Sequence, residues 1–254
     1  MEPATPAEVQ AALTASAGLG LFFGWRSPSA EEQAWHPVSL LYQLTPGPLD
    51  DLIEQTATAL GGCEPRVTAS LFFQGYAARL LSPQLGCLAT SGCVPAVPPA
   101  DLRWRHQGAL ELGLTPDRGW RGPAPELASV VLTQTFATHL RPLITATRAR
   151  VRLPATVLTD NAVSAFVQAL SLLDRLLRPG WAALAPGALA EAGLARTGTF
   201  RPGSGFVRRS CCLYYRVADG GYCGDCPIRP SLPVDGFERP PGGRRDRSGA
   251  EQPG

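Results

Sequence analysis

No lysine occurs in this chain of 254 residues, so all 23 basic side chains are arginine. With the heavy use of Ala, Gly and Pro, that absence reflects a GC-rich coding sequence more than a function. A charge excess is missing as well, because the arginines face 21 acidic residues for a formal net charge of +2. Binding nucleic acid without sequence preference needs a basic face that displaces counterions, and this balance argues against it. Histidine is scarce: His36, His106 and His139 share no paired spacing, which excludes a centre with two histidine ligands of the Rieske kind. Each reads as a surface residue or a satisfied core residue.

Long apolar runs are lacking too. The longest, around residues 11 to 23, is broken by Thr, Ser and Gly, too short and too interrupted for a membrane span. The start, Met-Glu-Pro, has no basic region of the kind that opens a signal peptide. The expectation is a cytoplasmic protein with no integral membrane segment, whose thiols are reduced unless ligated. No G-x-G-x-x-G follows a strand, so no bound nicotinamide or flavin is expected, and no catalytic triad or dyad stands out.

What is present is a globular composition, 44% hydrophobic and 17% charged, in a chain long enough to bury a sizeable core. Thr5-Pro6-Ala7-Glu8 is a helix start, with Thr5 as cap, Pro6 in the first turn and Glu8 three residues after the cap. That helix runs through Val9, Leu13 and Ala17 to end near Gly18 or Gly20. From Phe22 to Pro48, aromatics, Ser and Pro predict loops and one short strand. Asp50 to Leu60 reads as a second helix closed by Gly61-Gly62. Residues 66 to 82 read as a buried helix on Val67, Leu71, Phe72, Ala78 and Leu81.

Prolines break the pattern between Ser91 and Ala100, and two short runs around Gln107-Gly108 make the best β-hairpin in the chain. Leu127 to Arg148 reads as a helix interrupted at Pro142. Residues 155 to 178 follow, with Val157, Ala162, Phe166, Leu170, Leu173 and Leu177 on one side. A short helix spans Pro186 to Leu194. The fold class is therefore mainly α with a small β-hairpin component. A helical scaffold (1–200), which would also bind any substrate, precedes an irregular cluster-binding segment (201–236) and a disordered tail (237–254).

The segment from Arg208 to Pro227 carries four of the seven cysteines, Cys211, Cys212, Cys223 and Cys226, in the order C-C-x10-C-x2-C. Four thiols in one short loop, without a secretion signal, point to a metal or an iron-sulfur cluster rather than to disulfides. A [2Fe-2S] cluster takes two ligands on each iron, and the two sulfurs of Cys223-x-x-Cys226 can reach one metal ion. Cys211 and Cys212 are adjacent, so a kink is needed for both to converge, since neighbours in an extended segment point to opposite faces. Gly220, Gly221 and Gly224 are expected to let the backbone approach and turn N–H groups toward sulfur. Zinc is the main alternative, although its four-cysteine sites usually use two knuckles and only one pair here has that form. A redox dithiol is a further alternative. Cys63, Cys87 and Cys93 read as buried structural thiols.

The string Arg-Arg-Ser-Cys-Cys-Leu-Tyr-Tyr-Arg, followed by Cys-Gly-Asp-Cys-Pro, resembles the C-terminal motif of the FhuF-type ferric-siderophore reductases. In that motif C-C-x10-C-x2-C binds a [2Fe-2S] cluster, and all four cysteines here fall at its positions. The stretch from Leu153 to Phe166 is similar to the family's upstream helix, with Asn161 at a matching place. The resemblance implies one-electron reduction of Fe(III) in an imported siderophore, of hydroxamate type, with electrons from a separate donor such as a ferredoxin or flavin reductase. Hydroxamate oxygens are hard anionic ligands that hold Fe(III) far better than Fe(II), so one electron labilises the metal.

Residues 201–254 carry nine Arg against six acids, whereas residues 1–200 carry 14 against 15, so the cysteines lie in the electropositive part of the chain. Arg208, Arg209 and Arg216 are candidates to offset the cluster's negative charge or to contact an anionic substrate or an acidic donor protein. Tyr214, Tyr215 and Tyr222 are expected to pack the loop against the domain. The competing class is a non-enzymatic zinc- or cluster-bearing protein that binds a partner or senses iron.

Overall fold

The structure is a computed structural model that describes residues 1–28, 35–202 and 205–229; the expected tail lies outside the described residues. A short strand, β1 (Glu2–Ala4), leads into α1 (Pro6–Ala17), which starts as the capping box expected. Thr5 accepts from the Glu8 N–H at 3.3 Å, and its own N–H donates to the Glu8 carboxylate at 2.9 Å. After β2 (His36–Pro37), α2 (Pro48–Ala59) opens with Asp50 accepting from the Gly47 N–H at 2.7 Å. It closes on Gly61 and Gly62, whose φ angles of 76° and 86° lie in the left-handed region that glycine adopts freely.

The long α3 (Pro65–Ser91) is the central helix, and it does not stop at residue 82 as the sequence suggested. Pro83 sits inside it, which removes the bond to the Arg79 carbonyl. That carbonyl accepts instead from the indole N–H of Trp25 at 2.9 Å, so the helix continues without an orphaned acceptor. The chain then forms β3 (Cys93–Pro95), the hairpin β4 (Arg103–His106) and β5 (Leu110–Gly113), and β6 (Gly119–Arg121). The hairpin is the one expected, with Trp104 opposite Leu112. Two three-stranded antiparallel sheets result, ordered β1-β6-β3 and β2-β4-β5.

Next come α4 (Ala124–Thr135), a π-helical turn over Phe136–Leu140, and α5 (Arg141–Arg150), so the expected interruption falls just before Pro142. His139 in that turn is a satisfied core residue. One ring nitrogen lies 2.6 Å from the Val97 carbonyl and the other 2.7 Å from the Tyr42 hydroxyl, which meets Tyr76 at 2.6 Å. Burial pulls His139 below its ordinary pKa, so the ring is neutral, donates to the carbonyl and accepts from Tyr42.

Helix α6 (Ala155–Leu176) packs along α3, and α7 (Ala185–Glu191) follows. α6 is long and apolar enough to cross a membrane, yet most of it is buried within the fold, with Ala162, Phe166, Leu170 and Leu173 in the core. The last strands form the hairpin of β7 (Gly198–Arg201) and β8 (Gly205–Arg208), within which the expected boundary at residue 200 falls.

Helix α1 crosses α3 at Gly86, where an added Cβ would lie 2.1 Å from the Ser16 hydroxyl oxygen and 2.9 Å from the Phe23 ring. Ser16 cannot yield freely, because its hydroxyl is bonded to the carbonyls of Phe23 and Pro83. Gly86→Ala is therefore expected to cost about 1–3 kcal/mol. Thermal unfolding should show a midpoint lower by roughly 3–10 °C. Gly187→Ala on α7, where a Cβ meets nothing within 4 Å, should leave the midpoint unchanged or raise it.

Candidate metal centre

The hairpin of β7 and β8 delivers Arg208 to the cysteine segment, which lies across the N-terminal halves of α3 and α6. The chain kinks just after the adjacent pair. Leu213 adopts a left-handed conformation with φ 71°, after which Tyr214–Arg216 make one 3-10 turn. Non-glycine residues rarely adopt this conformation, so the surroundings hold it in place. The Leu213 N–H then donates to the Cys211 sulfur at 3.3 Å. The Tyr214 N–H turns in the same way toward Cys212.

The sulfurs meet across the loop rather than between sequence neighbours. Cys212 and Cys223 lie 3.7 Å apart, one from each arm. Cys212 and Cys226 are buried, whereas Cys211 and Cys223 are half-buried. The bond from Cys223 pulls the Cys212 thiol down to about 6 against the effect of burial, with help from Arg208. Cys223, as the donor in a buried setting, is pushed up. Burial pushes Cys211 up to about 11. One thiol is thus poised to ionise first, and a metal would have to displace protons from the others.

Arg208, only 1% exposed, carries the polar network behind the sulfurs. It pairs with Asp225 through Nε at 3.0 Å and a terminal nitrogen at 2.7 Å. It also donates to Asn161 and Ser164, each at 2.8 Å, and approaches Gln74 and the Cys223 sulfur, each at 3.5 Å. Burial works against its charge, but the bonds and charge of Asp225, then the cysteine sulfurs, hold its pKa above the ordinary value.

The amide of Asn161 donates to the carbonyl and hydroxyl oxygens of Ser70, and the Ser70 hydroxyl donates to the Cys212 carbonyl at 2.8 Å. Both arms of the cysteine segment are therefore tied to one buried network. On the outer side Asp160 accepts from the Ser210 N–H and hydroxyl at 2.9 and 2.5 Å. Its carboxyl is raised by burial, although Ser210 and Arg209 oppose the shift.

The three arginines singled out in the sequence separate here. Arg208 is internal, so of its two candidate roles burial leaves compensation of charge and removes surface contact. Arg209 and Arg216 are exposed and paired with Asp160 and Glu64 respectively. Tyr214, Tyr215 and Tyr222 do not pack the loop inward as expected. They are 40%, 43% and 47% exposed, and the Tyr215 and Tyr222 rings stack on each other at 6.4 Å. Hydroxyl-bearing rings tolerate that position because one end suits water.

Cys87 and Cys93 are buried in a small separate core with α1, and burial pushes Cys87 up to about 12. Cys63 is half-buried and donates to the Leu60 carbonyl, also apart from the cysteine loop. Sequence reasoning assigned no role to Asp225, Ser70, Asp160 or Ser164. The available signal was a polar set, Asp160, Asn161 and Ser164, recurring on one face of an otherwise apolar helix.

Cys212 and Cys223, at 3.7 Å, lie close enough to share one iron of a cluster that takes two thiolates on each iron. The chain is thus a mainly helical protein whose C-terminal segment is built for an iron-sulfur cluster. Residues 208–227 match the family model described as the FhuF 2Fe-2S C-terminal domain, which assigns the segment to the FhuF type and its cofactor as a [2Fe-2S] cluster. Comparison with curated proteins finds no match to the chain.

The glycines of the loop differ in their duties. A Cβ on Gly220 would lie 2.3 Å from the Tyr214 carbonyl oxygen, whereas Gly221 and Gly224 meet nothing within 4 Å. Glycine is thus needed to close the loop on its own carbonyls, while the N–H groups aimed at sulfur come from Leu213 and Tyr214. Gly220→Ala should give protein that loses most of its iron and sulfide after reconstitution. Gly221→Ala and Gly224→Ala should retain them, as measured by metal and sulfide analysis per mole of folded protein.

Proposed function

We propose that this chain is a cytoplasmic ferric-siderophore reductase, and the observation that carries the reading is the FhuF-type [2Fe-2S] segment stapled to the helical body by Arg208 and Asn161. Cys211, Cys212, Cys223 and Cys226 are its cluster ligands. A bound [2Fe-2S] cluster supplies one-electron transfer. The reaction takes one electron from an external donor, a ferredoxin or a flavin reductase, and gives it to the Fe(III) of a siderophore of hydroxamate class. Fe(II) is held weakly by hard anionic oxygens and leaves.

The chain's own residues supply position and access. The buried network holds two sulfurs inside, Cys212 and Cys226, and leaves Cys211 and Cys223 half-open toward solvent. Tyr214, Tyr215 and Tyr222 give that edge an exposed aromatic face on which a siderophore can rest. No acid, base or nucleophile is needed, because the step moves an electron and breaks only metal-ligand bonds.

Anaerobic protein, reduced, freed of reductant and mixed with ferrioxamine, should recover its oxidised visible spectrum while releasing about one Fe(II) per protein to a chelator. Colourless protein with stoichiometric zinc and no sulfide would overturn the reading, and a reducible cluster that transfers nothing to any ferric siderophore would favour a sensor or carrier. Cys→Ser at each of the four loop positions should abolish the visible bands or leave them readily lost. The same change at Cys63, Cys87 or Cys93 should leave them intact in whatever protein folds. An unaltered spectrum in Cys211→Ser would refute the ligand set.

A further inference from the structure

The order of cysteines in the sequence suggests that neighbours share an iron, Cys211 with Cys212 and Cys223 with Cys226. The fold places them differently. The Arg208 N–H donates to the Asp225 carbonyl at 3.1 Å, which ties the two arms of the loop together ahead of the cysteines. This sets the inner cysteines, Cys212 and Cys223, against each other at 3.7 Å, which leaves the outer ones, Cys211 and Cys226, for the second iron.

Arg208 lies against one of these pairs only. Its terminal nitrogen is 3.5 Å from the Cys223 sulfur, on the inner side, and that same nitrogen is the one bonded to Asp225 at 2.7 Å. A cation this deeply buried acts through a low-dielectric medium, where a charge is screened far less than in water. Asp225, bonded to the same guanidinium at 3.0 and 2.7 Å, partly cancels that charge. Positive charge at a ligand sulfur favours the site with one more electron, which raises its reduction potential.

We propose that Cys212 and Cys223 hold one iron and Cys211 and Cys226 the other, and that Arg208, fixed by Asp225, is the positioning residue that raises the potential of the site from the inner side. The proposal rests on the cluster assignment and not on siderophore turnover, so protein that reduces no siderophore still tests it. Asn161, Ser164 and Gln74 fix where the cation sits, and Asp225 sets how much of its charge reaches the sulfurs.

The pairing is tested on cluster-free, full-length protein oxidised briefly with diamide, which takes two hydrogens from two thiols as they join. Tandem mass spectrometry of the digest should find Cys212 bonded to Cys223 and Cys211 to Cys226. A predominant Cys223–Cys226 disulfide would overturn the pairing. The charge effect is tested by potentiometric titration of the reconstituted protein followed by EPR. At the potential that half-reduces the unaltered protein, the ratio of reduced to oxidised Arg208→Gln should be lower by roughly tenfold or more.

Asp225→Asn, which keeps shape and strips the counter-charge, should shift the ratio the other way, and Arg208→Lys should recover much of the loss. A residue that only supports the fold would not move the two charge variants in opposite directions. Shifts of the same sign, or none in either variant, would overturn the role of Arg208. Should Arg208→Gln fail to fold, Asp225→Asn and Arg208→Lys decide the matter, since an unshifted Asp225→Asn is then the overturning result.

Discussion

The buried ion pair between Arg208 and Asp225 is the constraint on which the C-terminal half depends. An arginine taken out of water carries a desolvation cost of several kcal/mol, recovered only when its donors and charge are well matched. Here the Asp225 carboxylate takes two donors and Asn161 and Ser164 take one each. Asp225 lies between two of the cysteines and Arg208 three residues before the first, so the pair closes the loop across its open end. Removing either partner would leave an uncompensated buried charge, typically about 3–5 kcal/mol of destabilisation, although the Arg208 N–H would still bond the Asp225 carbonyl across the loop.

That requirement explains why two core helices carry polar side chains. On α6, Asp160, Asn161 and Ser164 share one face, opposite the apolar stripe of Phe166, Leu170 and Leu173. On α3, Ser70 and Gln74 are four residues apart and face the same space. Buried polar groups are tolerated when each finds a partner, and these find one another across the gap between the helices. Asn161 is the hinge of the arrangement, because it gives both N–H donors to Ser70 and accepts from Arg208 with its oxygen.

Most of the helical scaffold could be read from local signals, because caps, glycine stops and apolar spacing act within a few residues. The Thr5 capping box, the stop at Gly61-Gly62 and the hairpin at Gln107-Gly108 are of that kind. The readings that failed depend on distant partners. α3 passes through Pro83 because Trp25, far away in sequence, supplies the missing donor. The strands β1, β3 and β6 are three residues each, too short to show alternation, and form only because tertiary structure brings them together. The cysteine spacing disclosed the cluster loop, but which sulfurs face each other follows from the path of the arms. The kink that follows Cys211-Cys212, a left-handed leucine instead of a glycine, has no local signal in the sequence.

The crossed pairing we propose gives each pair of sulfurs one buried member and one half-open member: Cys212 with Cys223 inside the loop, Cys226 with Cys211 outside it. Exposure therefore does not distinguish the two halves of the site. What distinguishes them is charge, because Arg208 touches Cys223 and has no contact of that kind with the outer pair. A symmetric ligand set placed in an asymmetric field is biased without any change of ligand, and the bias is set by residues on α3 and α6 that never touch a metal. In this fold the helical body thus fixes where the buried cation of Arg208 sits against the loop it supports.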